Sequence, residues 1–248
     1  YNKLADEKRM EYQHKHTRNP FRIARAIWRA IKDPTSTADV LVLEDFFNNS
    51  RLTRRFAAWE EVADRIIPDD IADEQLGRLP RLTNLDLEKM VTTHAPGTIG
   101  FALATYMIEN NLNPNLFKPT QVKSGRDYVL NHIPETHDIW HIVTGYGTDV
   151  KGEFALVSFY AAQIAAPAFT MLLGVGLLNT AFFAHHDMEN RLAAVAEGWR
   201  AGKRAESLFG VDWKAHFDRP LEEFRAEYAL PAVAVKAVIP EGTDKLTS

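Results

Sequence analysis

Two histidines, His137 and His141, stand four residues apart in the stretch His137–Glu153, which reads HDIWHIVTGYGTDVKGE. On an α-helix, at about 100° per residue, their rings project from one face one turn apart. Asp138 falls within roughly 100° of His137, so three potential ligands share a sector. Glu153 cannot join from the same helix, because it would lie roughly 24 Å along the axis from His137. Gly145, Gly147 and Gly152 lower helical propensity where the chain would have to turn. A second helix can then bring Glu153 back toward the histidines. Two imidazoles and two carboxylates without a thiolate form a hard-to-borderline donor set that suits Zn²⁺, Mn²⁺ or Fe²⁺.

The bulk numbers bound what surrounds this motif. The chain has 248 residues, 46% of them hydrophobic, enough for one domain with a sizeable core. A formal net charge of −4 gives no global attraction to nucleic acid. The absence of cysteine excludes disulfides, thiolate metal sites and a cysteine nucleophile. The sequence opens on Tyr1 with no signal-peptide pattern.

Several elements must position the ligands. Residues Tyr1–Asn19 are polar and read as a flexible arm. Pro20 to Lys32 sets Phe21, Ile23, Ala24, Ile27, Trp28 and Ile31 against Arg22, Arg25, Arg29 and Lys32, a basic amphipathic helix suited to a membrane surface or to packing on the core. Short helices are predicted around Val40–Phe47, Leu52–Ile66 and Asp73–Leu79. The run His94 to Gly100 makes a turn, and an apolar helix follows through Phe101, Leu103, Ala104, Met107 and Ile108. Ser124–Thr136 leads into the metal motif, with Pro134 at the turn or the first helical position. Arg126 and Glu135 lie in this lead, either supporting the ligands or forming a surface salt bridge.

Phe154 to Ala184 carries no charged residue and is long enough to span a membrane. Pro167 and several polar residues argue instead for one or two buried helices. Small residues there, Ala161, Ala165, Gly174 and Gly176 among them, leave room for close helix contacts or for a long apolar ligand. His185, His186 and Asp187 lack helical ligand spacing and read as a partly exposed cluster near a helix terminus. Helices are predicted over Asn190–Leu208 and Pro220–Tyr228, and the chain beyond Leu230 reads as a tail. With no convincing strands or repeats, the class is all-α: a single-domain helical bundle over residues 20–230 with a long apolar helical segment, an arm at 1–19 and a tail at 231–248.

His-Asp, two residues, His, then eleven residues and Glu resembles the zinc-motif signature of the coenzyme Q (ubiquinone) biosynthesis family, the fourth protein of that pathway. Looser likenesses lie at Asn19 to Pro34, Pro96 to Gly100, Gly198 to Gly202 and Leu221 to Arg225. The sequence departs from the family in the lead to the motif: Asn131-His132-Ile133-Pro134-Glu135 keeps the glutamate and lacks the family's arginines. The resemblance implies a membrane-associated helical protein acting on polyprenylated 4-hydroxybenzoate-type intermediates. It further implies decarboxylation and hydroxylation at ring carbon 1, and organisation of other ubiquinone biosynthesis proteins. His137, His141 and Glu153 would hold one divalent metal, zinc foremost and iron, manganese or cobalt otherwise, with Asp138 as a fourth ligand or an orienting carboxylate. Arg126, Glu135, Thr98, Ala161, Ala165 and Phe169 are the expected substrate contacts, with an apolar groove from Phe154–Ala184 and Phe101–Ile108 for the isoprenoid tail.

The expected partners are a polyprenylated aromatic lipid, a membrane surface, the other pathway proteins and a second copy of the chain, with no nucleic acid. The expected address is the cytoplasmic face of a bacterial inner membrane, and the alternative is the matrix side of the mitochondrial inner membrane. Two other activities fit the same residues. One is a non-catalytic isoprenoid-lipid-binding scaffold. The other is a zinc hydrolase, since His-Asp-x-x-His is one methylene short of the metalloprotease His-Glu-x-x-His.

Overall fold

A computed structural model describes residues 19–33, 39–40, 42–43, 46, 79–114, 122, 124–164 and 166–231. The described residues are helical and contain no strand; an isolated antiparallel bridge joins Thr98 to Pro220. The expected all-α class is therefore correct. Eight α-helices are described: α1 (Pro20–Lys32), α2 (Leu87–Thr93), α3 (Ile99–Glu109), α4 (Gly125–Thr144), α5 (Val150–Ile164), α6 (Pro167–Phe183), α7 (Met188–Arg204) and α8 (Leu221–Glu227). Nearly all of the polar arm and of the C-terminal tail, the helix expected at Leu52–Ile66 and all but Leu79 of that expected at Asp73–Leu79 lie outside the described residues; of the helix expected at Val40–Phe47, Val40, Val42, Leu43 and Phe46 are described and helical.

Helix α1 begins where Asn19 accepts hydrogen bonds from the Phe21 and Arg22 amides, with Pro20 at the first position, where its missing N–H costs little. Helix α4 starts earlier than the sequence suggested. The Ser124 hydroxyl caps it by accepting from the Asp127 amide at 3.1 Å. Pro134 therefore lies inside the helix rather than at its start, and the backbone bond to the Leu130 carbonyl is lost. Packing on both sides of the proline offsets that loss, with Tyr128, Val129, Ile133, Ile139 and Trp140 all buried.

The apolar run is two helices, not one segment. It breaks before Pro167, which cannot continue α5 but suits the first turn of α6. No single described helix is long and apolar enough to cross a membrane; α6 and the stretch His185–Arg204 pass the length and composition test only as a pair bent by 117°. Of the small residues in this run, Gly176 lies against the Phe154 ring and Ala162 against Gly202 of α7, whereas a Cβ on Gly174 would meet nothing within 4 Å. Helix α7 lies so near α5 that a Cβ on Gly198 would overlap the Ala155 carbonyl, and one on Gly202 would come within 2.7 Å of the Phe159 carbonyl oxygen. Ser158 donates to the Val195 carbonyl at 2.7 Å, and Gln163 bridges to the Glu206 carbonyl and the Leu208 amide.

Two hydrophobic clusters result. The larger joins α2 through α5 with the segment from Leu208 to Leu230, around Trp140, Phe159, Tyr160 and Phe209. The smaller joins α1 to α6 through Ala26, Ala30, Ile31, Leu43, Ala168 and Val175. A buried polar relay accompanies it: Asn179 donates to the Ile31 carbonyl at 2.8 Å and accepts from Arg191 at 2.7 Å, while Arg191 also pairs with Asp187.

His132 is buried between Tyr128 and Phe209, and its Nε2 finds no hydrogen-bond partner among the described residues. Burial pulls this imidazole down to about 4, outweighing a hydrogen bond to the Leu208 backbone, and the Arg81 charge adds to the fall. The folded chain therefore binds fewer protons at this position than the unfolded chain, whose histidine titrates near 6.5. Its contribution is fully present above that value and is lost as the pH falls toward 4. In denaturant titrations between pH 6.5 and 4.5, the wild type should lose about 2 kcal/mol in all more than His132→Leu. Equal slopes would mean that the buried ring protonates as readily as a free one.

Candidate metal centre

The site begins with the end of α4. Gly145 closes the helix in the left-handed region, φ 74°, and its amide donates to the His141 carbonyl at 2.8 Å. Four residues later Asp149 opens α5, its side chain accepting from the Gly152 amide at 2.8 Å and its carbonyl from the Glu153 amide at 2.9 Å. The two helix ends can meet only because Gly152 has no side chain, since a Cβ there would overlap the Gly147 carbonyl. Glu153 is thereby held in the first turn of α5, where the helix dipole favours its negative charge.

His137, His141 and Glu153 converge as the spacing predicts, each offering a ligand atom within 4.8 Å of the others. Nε2 of His141 lies 3.1 Å from Nε2 of His137 and 3.2 Å from Oε1 of Glu153, and His137 is 3.9 Å from the same oxygen. Four ligands around Zn²⁺ at about 2.0 Å stand about 3.3 Å apart at tetrahedral angles, so the two edges at His141 are close to those of a coordination shell and the His137–Glu153 edge is longer.

Tautomer chemistry fits as well. Nδ1 of His141 is 2.9 Å from the Tyr146 carbonyl, which can only accept, so the neutral ring carries its hydrogen there and presents the Nε2 lone pair to the site. The same backbone bond fixes the ring's direction. The side chain of His141 is 2% exposed, whereas His137 and Glu153 are 36% and 37% exposed, so the set is anchored on one side and open on the other.

Burial alone would raise the Glu153 carboxyl, but the hydrogen bonds and charges of His137 and His141 pull it well below the usual carboxylate range. Asp138 moves the opposite way. Burial pushes it up against the two histidines, and the Glu153 charge adds to the rise. Asp138 is thus within electrostatic reach of the site, yet the converging ligand group is His137, His141 and Glu153. Tyr106 of α3, which the sequence gives no reason to single out from an apolar stripe, shares this sector: burial and the charges of Asp138 and Glu153 raise its phenol.

The other expected site residues are distributed more widely. Glu135 makes a two-pronged ion pair with Arg81, one arm at 2.7 Å, an arginine from a distant segment that the sequence reading did not connect with the motif. Thr98 caps α3 and donates to the Ala95 carbonyl. Ala161 and Phe169 are buried in the core, Phe169 stacked on Tyr160 at 5.0 Å; Tyr160 in turn stacks on Trp140 and lies parallel to His137 at 6.3 Å. Ala165 and the Arg126 side chain lie outside the described residues. An open cleft of about 500 Å³ lies between α2 and the end of α3, lined by Leu85, Leu87, Met107, Ile108, Asn111 and Leu112. His185 and His186 are exposed, as the sequence suggested.

An all-helical protein with two histidines and a glutamate converging at one helix–helix turn is the class that fold and site define. The chain belongs to the family of the coenzyme Q (ubiquinone) biosynthesis protein Coq4, whose family model matches residues 28–233. Among relatives, it is 28% identical over 185 residues to the mitochondrial ubiquinone biosynthesis protein COQ4 homolog of Nematostella vectensis, covering 72% of this chain and 88% of that protein. It is 24% identical over 171 residues to mitochondrial COQ4 of Candida dubliniensis, covering 67% of this chain but only 52% of the relative, so the match spans about half the relative's length. Among solved structures, a provisionally named ubiquinone biosynthesis protein from Nostoc punctiforme shares the fold, with a TM-score of 0.67, 23% identity and coverage of 86% of this chain and 98% of that one. The curated relatives are named mitochondrial, in keeping with the mitochondrial alternative; the bacterial inner-membrane address has no support from them.

Elemental analysis of protein purified without a metal column should find about one equivalent of divalent metal in the wild type and none in His137→Ala/His141→Ala. Gly152→Ala should fold yet lose most of its metal, because displacing the Gly147 contact withdraws Glu153. Full occupancy in Gly152→Ala would show that the backbone contact does not set the ligand.

Proposed function

We propose that this chain is a metal-dependent protein of ubiquinone biosynthesis that acts on polyprenylated 4-hydroxybenzoate-type intermediates. The observation that carries the reading is the convergence of His137, His141 and Glu153, with His141 locked in the tautomer a metal needs, in a chain of the Coq4 family. The reaction would replace the ring carboxylate at carbon 1 by a hydroxyl. The carbon–carboxylate bond breaks, carbon dioxide leaves, and the ring carbon takes oxygen from O₂ as the oxidant, with a two-electron donor reducing the second oxygen atom to water. A divalent metal bound here, zinc or one of iron, manganese and cobalt, would supply Lewis acidity toward a phenolate or carboxylate, or redox reactivity toward O₂.

The chain's own residues would do the rest. His141 and Glu153 fix the donor geometry from opposite helices, His137 closes the set on the open side, and Asp138 orients a ligand or completes the coordination. Tyr106 and the aromatic column of Tyr160 and Phe169 keep water from the buried side.

The lipid part of the reading has separate support. Met171, Leu178, Phe182 and Phe183 on α6 are exposed, as are Phe21 and Trp28 on α1, whose arginines and lysine would meet anionic headgroups. This surface suits the matrix face of a mitochondrial membrane, where a polyprenyl tail and other ubiquinone biosynthesis proteins would be at hand. It suits equally a non-catalytic isoprenoid-lipid-binding scaffold.

Glu153→Ala separates the two readings. Loss of turnover of a short-chain prenylated 4-hydroxybenzoate by at least 100-fold, with unchanged circular dichroism and unchanged liposome binding, is the outcome expected of chemistry at this site. Turnover in neither protein, with retained lipid binding, would leave the scaffold. Phe182→Ser/Phe183→Ser should in turn weaken co-sedimentation with liposomes containing anionic lipid by about tenfold, since two large apolar side chains leave the contact. An unchanged pellet fraction would remove α6 from the membrane surface.

A further inference from the structure

The C-terminal turn of a helix leaves carbonyls without intrahelical partners, and in α4 these carbonyls directly follow a metal-ligand candidate. Their partner comes from α8, more than 80 residues downstream. The guanidinium of Arg225, 5% exposed, donates from Nε to the Val143 carbonyl at 3.0 Å and from a terminal nitrogen to the Ile142 carbonyl at 2.7 Å. Its other terminal nitrogen meets the Glu222 carboxylate. Because that carboxylate sits on the same guanidinium, the cation adds little net field at the helix end. What remains is geometric: a planar fork holding two consecutive carbonyls at fixed angles.

Those carbonyls begin the turn that directs His141. Beyond Val143, Thr144 accepts from the Tyr146 amide, Gly145 takes its left-handed conformation, and the Tyr146 carbonyl turns back to receive the His141 Nδ1 hydrogen at 2.9 Å. If the last turn of α4 unwinds, the Tyr146 carbonyl leaves, and with it the ring's tautomer and direction. We propose that Arg225 is a positioning residue for the metal site, holding His141 in register through the backbone of Ile142, Val143 and the turn to Tyr146. It touches neither metal nor substrate. The inference rests on the reading of His137, His141 and Glu153 as metal ligands.

The test compares zinc affinity, measured by competition with a chromophoric chelator, across wild type, Arg225→Met, Arg225→Lys and Arg219→Met, with the visible absorption of the Co²⁺-loaded proteins as a second readout. Arg219 pairs with Glu227 at the exposed side of the same segment and serves as the control for loosening α8. Arg225→Met should bind zinc roughly 10- to 100-fold more weakly and show a shifted Co²⁺ spectrum, with the apo protein still helical by circular dichroism. Arg219→Met should stay within threefold of wild type.

Wild-type affinity and spectrum in Arg225→Met, or equal weakening in Arg219→Met, would overturn the assignment. Should Arg225→Met fail to fold, Arg225→Lys decides: it keeps the charge but not the fork, so a severalfold loss of affinity in a folded protein supports the role and wild-type binding refutes it. A wild type that takes up no metal would instead bring down the metal reading itself, and the role of Arg225 with it.

Discussion

Everything at the candidate site depends on two backbone segments being allowed to touch. Helix α4 ends and α5 begins within six residues, and the reversal brings the Gly152 Cα against the Gly147 carbonyl with no space for a methyl group. This contact sets the entry of α5, Asp149 secures it by capping, and the register of the first turn then points Glu153 back at the histidines. The geometry of the turn thus brings the three side chains together, and the hydrogen bonds and charges between Glu153 and the histidines act on a set already assembled. Left without a cation or a proton between them, the nitrogen atoms 3.1 Å apart would repel. Such a prearranged mutual repulsion is relieved by a metal ion.

The large cluster supplies the rigidity that a prearranged site requires. Helix α5 is pinned along one side by α7, whose backbone approaches at Gly198 and Gly202, and on the other by stacked aromatic side chains running from Phe169 through Tyr160 to Trp140. Trp140 lies between the two candidate ligand histidines in sequence, so α4 faces the core with one side while it offers donors with another. The division of one helix between packing and chemistry explains why a proline inside α4 is tolerated: the contacts around it are numerous enough to outweigh one missing backbone bond.

What could be read from the sequence was whatever local periodicity encodes. The four-residue spacing of His137 and His141 and the glycines before Glu153 are statements about one helix and one turn, and the convergence followed from them. The all-α class and the bounds of α1 were legible for the same reason, whereas α3 begins at Ile99, inside the stretch read as a turn. Asp138 shows the limit of angular reasoning: a one-residue step rotates a side chain by about 100°, enough to leave Asp138 outside the converging group and within range of Tyr106 on another helix. Pro134 was misread because proline most often opens helices, whereas the Ser124 cap ten residues earlier is the true start. Arg81 and Arg225 could not be found at all, since their roles are long-range contacts and an arginine in sequence looks like a solvated charge. The apolar run allowed one or two buried helices, and the break before Pro167 makes it two rather than one long segment.

The smaller cluster has a kinetic meaning. Among the described residues, α1 is joined to α6 by Ala26, Ala30, Ile31, Ala168 and Val175 and by the Asn179 relay, and none of these residues belongs to the aromatic core around α4 and α5. Cooperative units of a fold open with free energies set by their own contacts. Amide exchange in α1 should therefore follow a local opening of low cost, while the amides of α4 and α5 wait for the whole molecule to unfold. A fold divided in this way would let α1 detach and dock again without disturbing the geometry of the candidate site.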